Sequence, residues 1–484
     1  MTFSYASNRN LIIYTTLILI LIATFTVPKD LLDATDVKDY SDTAKFFAGD
    51  YSANLRTSHS VLYGLLLSPY VKIVDSYFFL KFSSTFFLVL IILSLYYLSG
   101  KKKETLLLAI TLPLIWYMSP WVSPLPLVAL LFLWAYVFIK KFDEEGKIKN
   151  LLYSGLLIGL AGAFWDTAFY FSFIFLITFL YNKKFYYSLF FLTAVFVGML
   201  PNFIVDYIIF EFPFYSKLKH ISAVFAFAFY GGIYGQGFPT DLFSKILVLL
   251  FVPWYMLIFK DKKSFLREKK TLIFLILSFL FIWTNSQIRL LIVIAPIIVL
   301  LLGERLTKKQ VKVQVIIFII LSLLVISPYI IQTKYQTNGR YFKAAVAEWD
   351  NLIFSDFEFE KIQSNLETIG MEFKGEKFVV LGKDDDYREL AHYYWGTDIE
   401  EFVSVQDYKL FLRGDDTIAS KEIRSNAPSD FRRELFFDIG LRKNRNDDTD
   451  YASLKYGLSF SNSTDVSGFE LRKGYGSLYL FEKI

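Results

Sequence analysis

Long apolar runs separated by short polar loops fill most of residues 1–332 of this 484-residue chain. Hydrophobic residues make up 54% of the sequence and the mean hydropathy is +0.41, values that are too high for a soluble protein of ordinary composition. The sequence therefore predicts a polytopic α-helical membrane protein with about 11 transmembrane helices. The candidate runs fall near residues 11–27, 77–98, 104–117, 124–139, 150–164, 168–182, 186–210, 242–259, 271–284, 288–303 and 313–331.

Several of these runs are shorter than the roughly 20 residues of a straight span, so we expect tilted, broken or re-entrant helices among them. The first run lacks a small-x-small cleavage site and is predicted to be an uncleaved signal anchor. The chain has no cysteine, which excludes disulfides and thiolate metal sites.

Lysine and arginine cluster in alternate loops. The clusters are at residues 101–103, 140–149, 183–184, 260–270 and 305–312. Because loops rich in these residues remain in the cytoplasm, we expect the five clusters and the N-terminus to be cytoplasmic, in a multi-pass protein of the cell (plasma) membrane. The alternation requires that the apolar stretch 61–74 lies in the membrane interface without crossing.

The composition changes to that of a soluble protein in residues 333–484, which are predicted to form a small extracytoplasmic α/β or α+β domain after a membrane domain of residues 1–332. Apolar runs with strand character, a helical pattern and a terminal alternating segment with a Gly-Tyr-Gly turn support this prediction. The predicted elements are strands at 377–382 and 400–405, a helix at 387–395 and a hairpin at 468–484.

The first polar loop, residues 28–76, is unusually acidic, with aspartates at positions 30, 33, 36, 39, 42 and 50. Residues 36–49 have apolar side chains at helical spacing and end in a glycine that can adopt the left-handed conformation. They predict a short amphipathic helix on the membrane surface, with its aromatic edge among the lipid headgroups.

Asp36 and Asp39 are the candidate catalytic residues of this helix, because they lie one turn apart and therefore on the same side. A positioned carboxylate can act as a general base and accelerate a reaction roughly 10²–10⁴-fold. The alternative is that Asp36 caps the helix and Asp39 only complements its dipole.

This loop resembles the first extracytoplasmic loop of the GT-C superfamily of glycosyltransferases, in the branch of protein mannosyltransferases and lipid A aminoarabinose transferases. That branch has an acid, a tyrosine four residues later, then alanine, glycine and arginine, followed by a proline-rich turn and an apolar amphipathic segment. The same order is kept here by Asp36, Tyr40, Ala44, Gly49, Arg56 and Tyr63, whereas Ser58, His59 and Ser60 replace the prolines. The Asp39-Tyr40 dipeptide also resembles one found in lipid-linked mannosyltransferases, so both acids remain candidates.

A second polar stretch, residues 284–290, separates two late apolar runs and contains Arg289. With Leu290 and Pro296, it resembles the family's Arg-Tyr-(apolar)-Pro signature, with leucine in place of tyrosine. Arginine suits forked contact with phosphate oxygens, so the resemblance implies that Arg289 binds the phosphate of a lipid donor. The alternative role is that of an interfacial anchor.

The remaining candidate residues lie in other loops that are predicted to face outward. Lys217, Lys219 and His220 form a basic group that could help to hold phosphate, and the glycine-rich residues 230–237 after it could form a lid. Asp166 follows a tryptophan and could contact sugar or acceptor, although the family often has a basic residue at this point.

The resemblance implies a GT-C fold and a glycosyltransferase that depends on a lipid-phosphate sugar. Its donor would be a polyprenyl- or dolichyl-phosphate sugar, and its acceptor a hydroxyl of a protein, lipid or glycan. Displacement would be direct and inverting, with Arg56 bracing the loop and Tyr40, His59 and Tyr63 shaping it. No metal or cofactor is expected; a divalent cation held by loop aspartates is the less favoured alternative.

Three other functions remain as alternatives. An O-antigen ligase or polymerase is the nearest enzymatic one. A transporter or flippase would need ionisable residues within its spans, which we expect to be nearly free of charge. A non-catalytic envelope assembly protein would not need the loop aspartates. The sequence has no phosphate-binding loop and no glycine-rich dinucleotide turn after a strand, which argues against an enzyme that uses nucleotide sugars or ATP on the cytoplasmic side. No nucleic-acid partner is expected.

Overall fold

The protein is described here from a computed structural model. The described residues are 3–25, 40, 43–49, 61–73, 77–119, 121–181, 183–210, 212–218, 220–221, 269–284, 288–330, 356–382, 390, 402–404, 408, 452–464 and 466–484.

The chain divides into two compact units. The first consists of Met1–Tyr215 and Tyr234–Phe354, and the second of Ser216–Ile233 and Ser355–Ile484. The domain boundary predicted at residues 332/333 lies outside the described residues and stays a prediction.

Over its described residues, the first unit consists of helices and the turns between them, with no strand. Its helices are α1 (Phe3–Phe25), α2 (Val61–Ile73), α3 (Tyr77–Leu98), α4 (Lys103–Thr111), α5 (Pro113–Met118), α6 (Leu125–Glu145), α7 (Ile148–Phe164), α8 (Ala168–Phe175), α9 (Phe185–Phe210), α10 (Lys269–Thr284), α11 (Ala295–Arg305) and α12 (Lys308–Ile330). A π-helical turn, Leu176–Leu180, extends α8, and a 3₁₀ helix, Ile288–Val293, precedes α11.

Within the described residues, three helices are long and apolar enough to cross a membrane: Leu80–Leu98, Leu125–Glu145 and Phe185–Ile209. The helices follow the predicted apolar runs, except that the run at 242–259 lies outside the described residues. The count of about eleven spans therefore stays a prediction. Apolar side chains are exposed along α1, α9 and α12, for example Tyr14, Ile208 and Ile316, and such faces are suited to lipid.

The predicted run 104–117 is broken into α4 and α5 at Leu112, whose backbone is extended because a proline follows it. The break frees backbone carbonyls, which must find donors in an apolar interior. The Trp116 indole N–H donates to the carbonyl of Ile110 at 2.8 Å, and the Ser322 hydroxyl donates to that of Thr111 at 2.8 Å. These bonds allow a proline break inside an apolar segment.

Helices α3 and α6 run parallel. Ser84 near the start of α3 donates to the carbonyl of Ser123 just before α6, at 3.5 Å, whereas Ser94 further along α3 accepts from the Trp134 indole of α6, at 3.1 Å. The segment α4–α5 is therefore the return leg between them, as the alternating topology requires.

Helices α7 and α9 also run parallel, and they approach each other backbone to backbone. A Cβ atom on Gly159 would lie 2.0 Å from the carbonyl oxygen of Val195, and one on Gly198 would lie 2.3 Å from that of Leu156. Small residues are used in this way where helices pack closely in membranes. The short α8 and its π turn connect the two helices.

One end of the first unit collects basic residues, and we call it the basic end. Asp143 at the end of α6 pairs with Lys183, just before α9, at 3.0 Å and with Lys270, at the start of α10, at 2.6 Å. Asn8 of α1 donates to the hydroxyl of Tyr96 near the end of α3 at 3.2 Å. Members of three predicted cytoplasmic clusters, Asp143, Lys183 and Lys270, thus meet at this end.

In its described part, the second unit contains a five-stranded mixed sheet and one long helix, α13 (Asp356–Glu372). The strands are β1 (Phe378–Val380), β2 (Phe402–Ser404), β3 (Tyr456–Ser459), β4 (Phe469–Tyr475) and β5 (Leu478–Lys483), in the order β2-β1-β3-β5-β4. Strand β1 is parallel to β2 and β3, whereas β5 is antiparallel to β3 and β4.

The predicted strands at 377–382 and 400–405 and the predicted terminal hairpin are confirmed. The helix predicted at 387–395 lies outside the described residues apart from Leu390, which is helical and buried. Phe378 and Val380 belong to the core on one face of the sheet together with Leu366 of α13, and Val379 belongs to the core on the other face.

Candidate functional site

The end of the first unit opposite to the basic end, which we call the polar end, contains a buried hydrogen-bonded group around Tyr63 of α2. The Tyr63 hydroxyl donates to the carbonyl of Ser123 at 2.9 Å and lies 3.2 Å from the hydroxyl of Ser83 on α3. Burial raises the pKa of Tyr63 far above its ordinary value, so the phenol remains protonated and can donate. Tyr63 therefore fixes α2 to α3 and to the chain just before α6.

The described part of the acidic loop packs against α2. Tyr40 is buried and meets Tyr63 edge to face, with ring centroids 5.0 Å apart. A Cβ on Gly64 would lie 2.4 Å from Cγ2 of Thr43, so the two segments touch with no space between them. Residues 40 and 43–48 are helical, and Gly49 has a φ of 109°, which confirms the predicted helix end.

The aromatic edge of this short helix was expected among lipid headgroups, and for Tyr40 this expectation is wrong. Its ring is buried against protein because Tyr63, also an aromatic side chain, offers an edge-to-face partner. Tyr40 and Tyr63 thus hold the loop in place. Asp39 immediately precedes Tyr40 in the sequence, but Asp36, Asp39, Arg56, His59 and Lys219 all lie outside the described residues.

Arg289 lies at the start of the 3₁₀ helix between α10 and α11. Its guanidinium carbon is 5.2 Å from the centroid of the Trp121 ring, a distance typical of a cation–π contact. Trp121 is only 1% exposed, and its ring also lies 5.4 Å from that of Tyr117. Since α10 begins at the basic end and crosses the unit, Arg289 lies at the polar end.

Trp121 and Ser123 belong to the same short connection between α5 and α6, residues 119–124. On one side, this connection accepts the hydrogen bond of Tyr63, and on the other it carries the ring under Arg289. The connection is itself anchored at Ser119, whose carbonyl accepts from Thr85 at 3.1 Å. The first loop and the late arginine, distant in sequence, therefore meet at one connection.

Sequence reasoning missed two ionisable residues that the structure buries completely. Lys81 of α3 and Asp206 of α9 are both 0% exposed, and the Asn202 amide donates to the Asp206 carboxylate at 2.9 Å. The expectation that the spans are nearly free of charge is wrong at these two positions. A lysine within Phe-Phe-Leu-Lys-Phe and an Asn/Asp pair at i, i+4 were the signals that could have revealed them.

The other predicted site residues are distributed over both units. Asp166 is buried just after α7, at the polar end of the first unit. Lys217 is buried and His220 is half-buried, and both belong to the segment Ser216–Ile233 of the second unit. The predicted grouping of Lys217 with Arg289 stays a prediction.

Among the described residues, no group of three or more His, Cys, Asp or Glu side chains is arranged to hold a metal ion. The aspartates at 30, 33, 36, 39, 42 and 50 are not among those residues. The expectation that no metal is needed therefore stays a prediction.

Comparison of the chain with protein-family models and with curated protein sequences gives no match.

Proposed function

We propose that this protein is a membrane glycosyltransferase of the GT-C type. It would move a sugar from a polyprenyl- or dolichyl-phosphate donor to an acceptor hydroxyl on the outer face of the membrane, with inversion. The observation that carries the proposal is the 119–124 connection, to which both Tyr63 of the first loop region and Arg289 are attached. A base from the loop and a phosphate-binding cation would then serve one reaction centre.

The chemistry requires two kinds of group. A carboxylate must accept the proton of the attacking hydroxyl, and Asp36 or Asp39 would do so. Negative charge develops on the departing lipid phosphate, and a positioned guanidinium such as that of Arg289 stabilises it. Lys217 or Lys219 would add positive charge, and Arg56 would brace the loop.

The proposed topology follows from the basic end. Lys183 and Lys270 meet at Asp143, and loops rich in such residues remain in the cytoplasm. The basic end would then be cytoplasmic, together with the N-terminus. The polar end, the acidic loop and the C-terminal domain would lie outside the cell membrane, where a lipid-linked donor is reached laterally.

The test uses the full-length protein in lipid nanodiscs with a panel of polyprenyl-phosphate sugars and a panel of hydroxyl acceptors (protein, lipid and glycan), and measures acceptor-dependent release of polyprenyl phosphate. Asp36→Asn and Asp39→Asn are compared with Asp33→Asn and Asp42→Asn, which remove neighbouring acids of the same loop. We expect turnover to fall roughly 10²–10⁴-fold in one of the first two variants and to persist in the controls. Full turnover in both Asp36→Asn and Asp39→Asn would remove this mechanism.

A second candidate function, transport of a lipid-linked substrate, is favoured by one observation. Lys81 and Asp206 are fully buried ionisable residues in helices long enough to span a membrane, and such residues often mark transport pathways. In liposomes, a transporter would move labelled polyprenyl phosphate between leaflets without sugar transfer, and Lys81→Met would abolish that movement. Sugar transfer by the wild-type protein would rule against transport as the sole activity.

A further inference from the structure

Trp121 has a feature that packing alone does not explain. Its side chain is 1% exposed, and its indole N–H has no hydrogen-bond partner among the described residues. The indoles of Trp116 and Trp134 behave differently, because they donate to the carbonyl of Ile110 at 2.8 Å and to the hydroxyl of Ser94 at 3.1 Å. Buried indole N–H groups usually find an acceptor, so the acceptor for Trp121 is to be sought in a ligand.

The guanidinium of Arg289 lies over the face of the same ring, 5.2 Å from its centroid. The indole N–H points outward in the ring plane, whereas the guanidinium stands above that plane. Both groups are donors, and a nearby cation favours the approach of an anion to the N–H. A phosphate has several oxygens in fixed geometry, so different oxygens can accept from the indole N–H and from the guanidinium at the same time.

The backbone on both sides of Trp121 is held in place. The carbonyl of Ser119 accepts from Thr85 at 3.1 Å, and that of Ser123 accepts from Tyr63 at 2.9 Å. A side chain fixed in this way loses little freedom when it binds a ligand, which is the condition for efficient recognition.

We propose that Trp121 is a second phosphate-binding residue, whose N–H donates to one phosphate oxygen of the lipid donor while Arg289 binds the others. The ring face would also hold the guanidinium in its binding orientation. This inference rests on the proposed function, because it takes the anion to be the lipid phosphate of the donor.

The experiment measures the affinity of the full-length protein in detergent for polyprenyl phosphate by native mass spectrometry. Trp121→Phe keeps an aromatic face under Arg289 and removes the N–H, so we expect affinity to fall about 10-fold. Trp134→Phe is the matched control, because it removes an indole N–H that already has an acceptor, and its affinity should equal that of the wild type. The affinities for polyprenol and for inorganic phosphate are measured in parallel, so that the contribution of the lipid tail to binding can be separated from that of the phosphate.

Equal affinity of Trp121→Phe and the wild type for polyprenyl phosphate would overturn the inference while leaving the proposed function intact. Equal affinity of the wild type for polyprenyl phosphate and polyprenol would overturn both. If Trp121→Phe does not fold, Trp121 is replaced by 3-benzothienylalanine, which has sulfur in place of the N–H in a ring system of the same size. Loss of binding in that variant supports the inference, and unchanged binding contradicts it.

Discussion

The two ends of the first unit hold their charged residues in opposite ways. At the basic end, Asp143, Lys183 and Lys270 pair while their side chains remain 28%, 31% and 34% exposed. At the polar end, Lys81 and Asp206 are completely buried. Partly exposed pairs are inexpensive and contribute little, whereas a buried charge carries a large desolvation cost. Under the proposed function, we expect the basic end to set the membrane topology and the polar end to supply ionisable groups for function.

The largest effect is expected from Arg289→Ala at the polar end. Removing a group that stabilises developing charge on a leaving group costs roughly 10²–10³-fold in turnover. Release of polyprenyl phosphate measures this effect, and thermal unfolding serves as its control. A variant that keeps full turnover but unfolds at much lower temperature would show that Arg289 is only a packing residue on Trp121.

Tyr63→Phe is expected to have the next largest effect. The hydroxyl is buried and holds the carbonyl of Ser123, so its loss leaves that acceptor with one donor fewer and costs about 1–3 kcal/mol of stability. The free energy of unfolding measures this effect. Tyr97→Phe is the control, because the side chain of Tyr97 on α3 is 66% exposed. Equal effects of the two substitutions would contradict the role given to the Tyr63 hydroxyl.

At the basic end, Asp143→Asn is expected to cost no more than about 1 kcal/mol, because water screens a partly exposed pair. Turnover should remain that of the wild type. Denaturation of the purified protein at low and high salt measures the stability difference, which should shrink as salt rises. A large loss of turnover would break the division of roles between the two ends.

The smallest effect is expected from the cluster of Glu372, Lys473 and Tyr475 in the second unit. Its charged side chains are exposed, so it shows how little an exposed ion pair contributes to stability. The hydrogen bond from Tyr475 and the ammonium of Lys473 lower the pKa of Glu372. A lowered carboxyl pKa stabilises the fold above the pKa of the unfolded chain, and this stabilisation is lost as pH falls through the folded value.

Glu372→Gln should therefore reduce stability slightly at neutral pH and leave stability at low pH unchanged. Melting temperatures measured across acidic pH provide the test. An equal loss at every pH would mean that the glutamate acts through its shape rather than its charge.

The sequence predicted the helices, turns and strands that are determined by residues close together in the chain. Apolar runs became helices, Gly49 ended its helix, and the alternating segment at the C-terminus became the β4–β5 hairpin. These outcomes depend on the hydrophobic effect and on backbone sterics, which act over a few residues.

The sequence could not predict what depends on residues brought together from distant parts of the chain. The helix α13 carried a local signal that was overlooked, because its buried Ile362, Leu366 and Ile369 recur at helical spacing. The four-residue strand β3 was missed because its pairing partners β1 and β5 lie elsewhere in the chain. The contact of Trp121 with Arg289 and the burial of Lys81 were missed for the same reason. Burial is a property of the packed helices rather than of the residue, and no spacing within one run reports it.

The backbone contact between α7 and α9 makes one wall of the first unit rigid. Gly159 and Gly198 leave no side chain between the two backbones, so the pair cannot separate or slide by exchanging rotamers. Under the proposed function, we therefore expect the long isoprenoid tail of a donor to enter on another side of the unit.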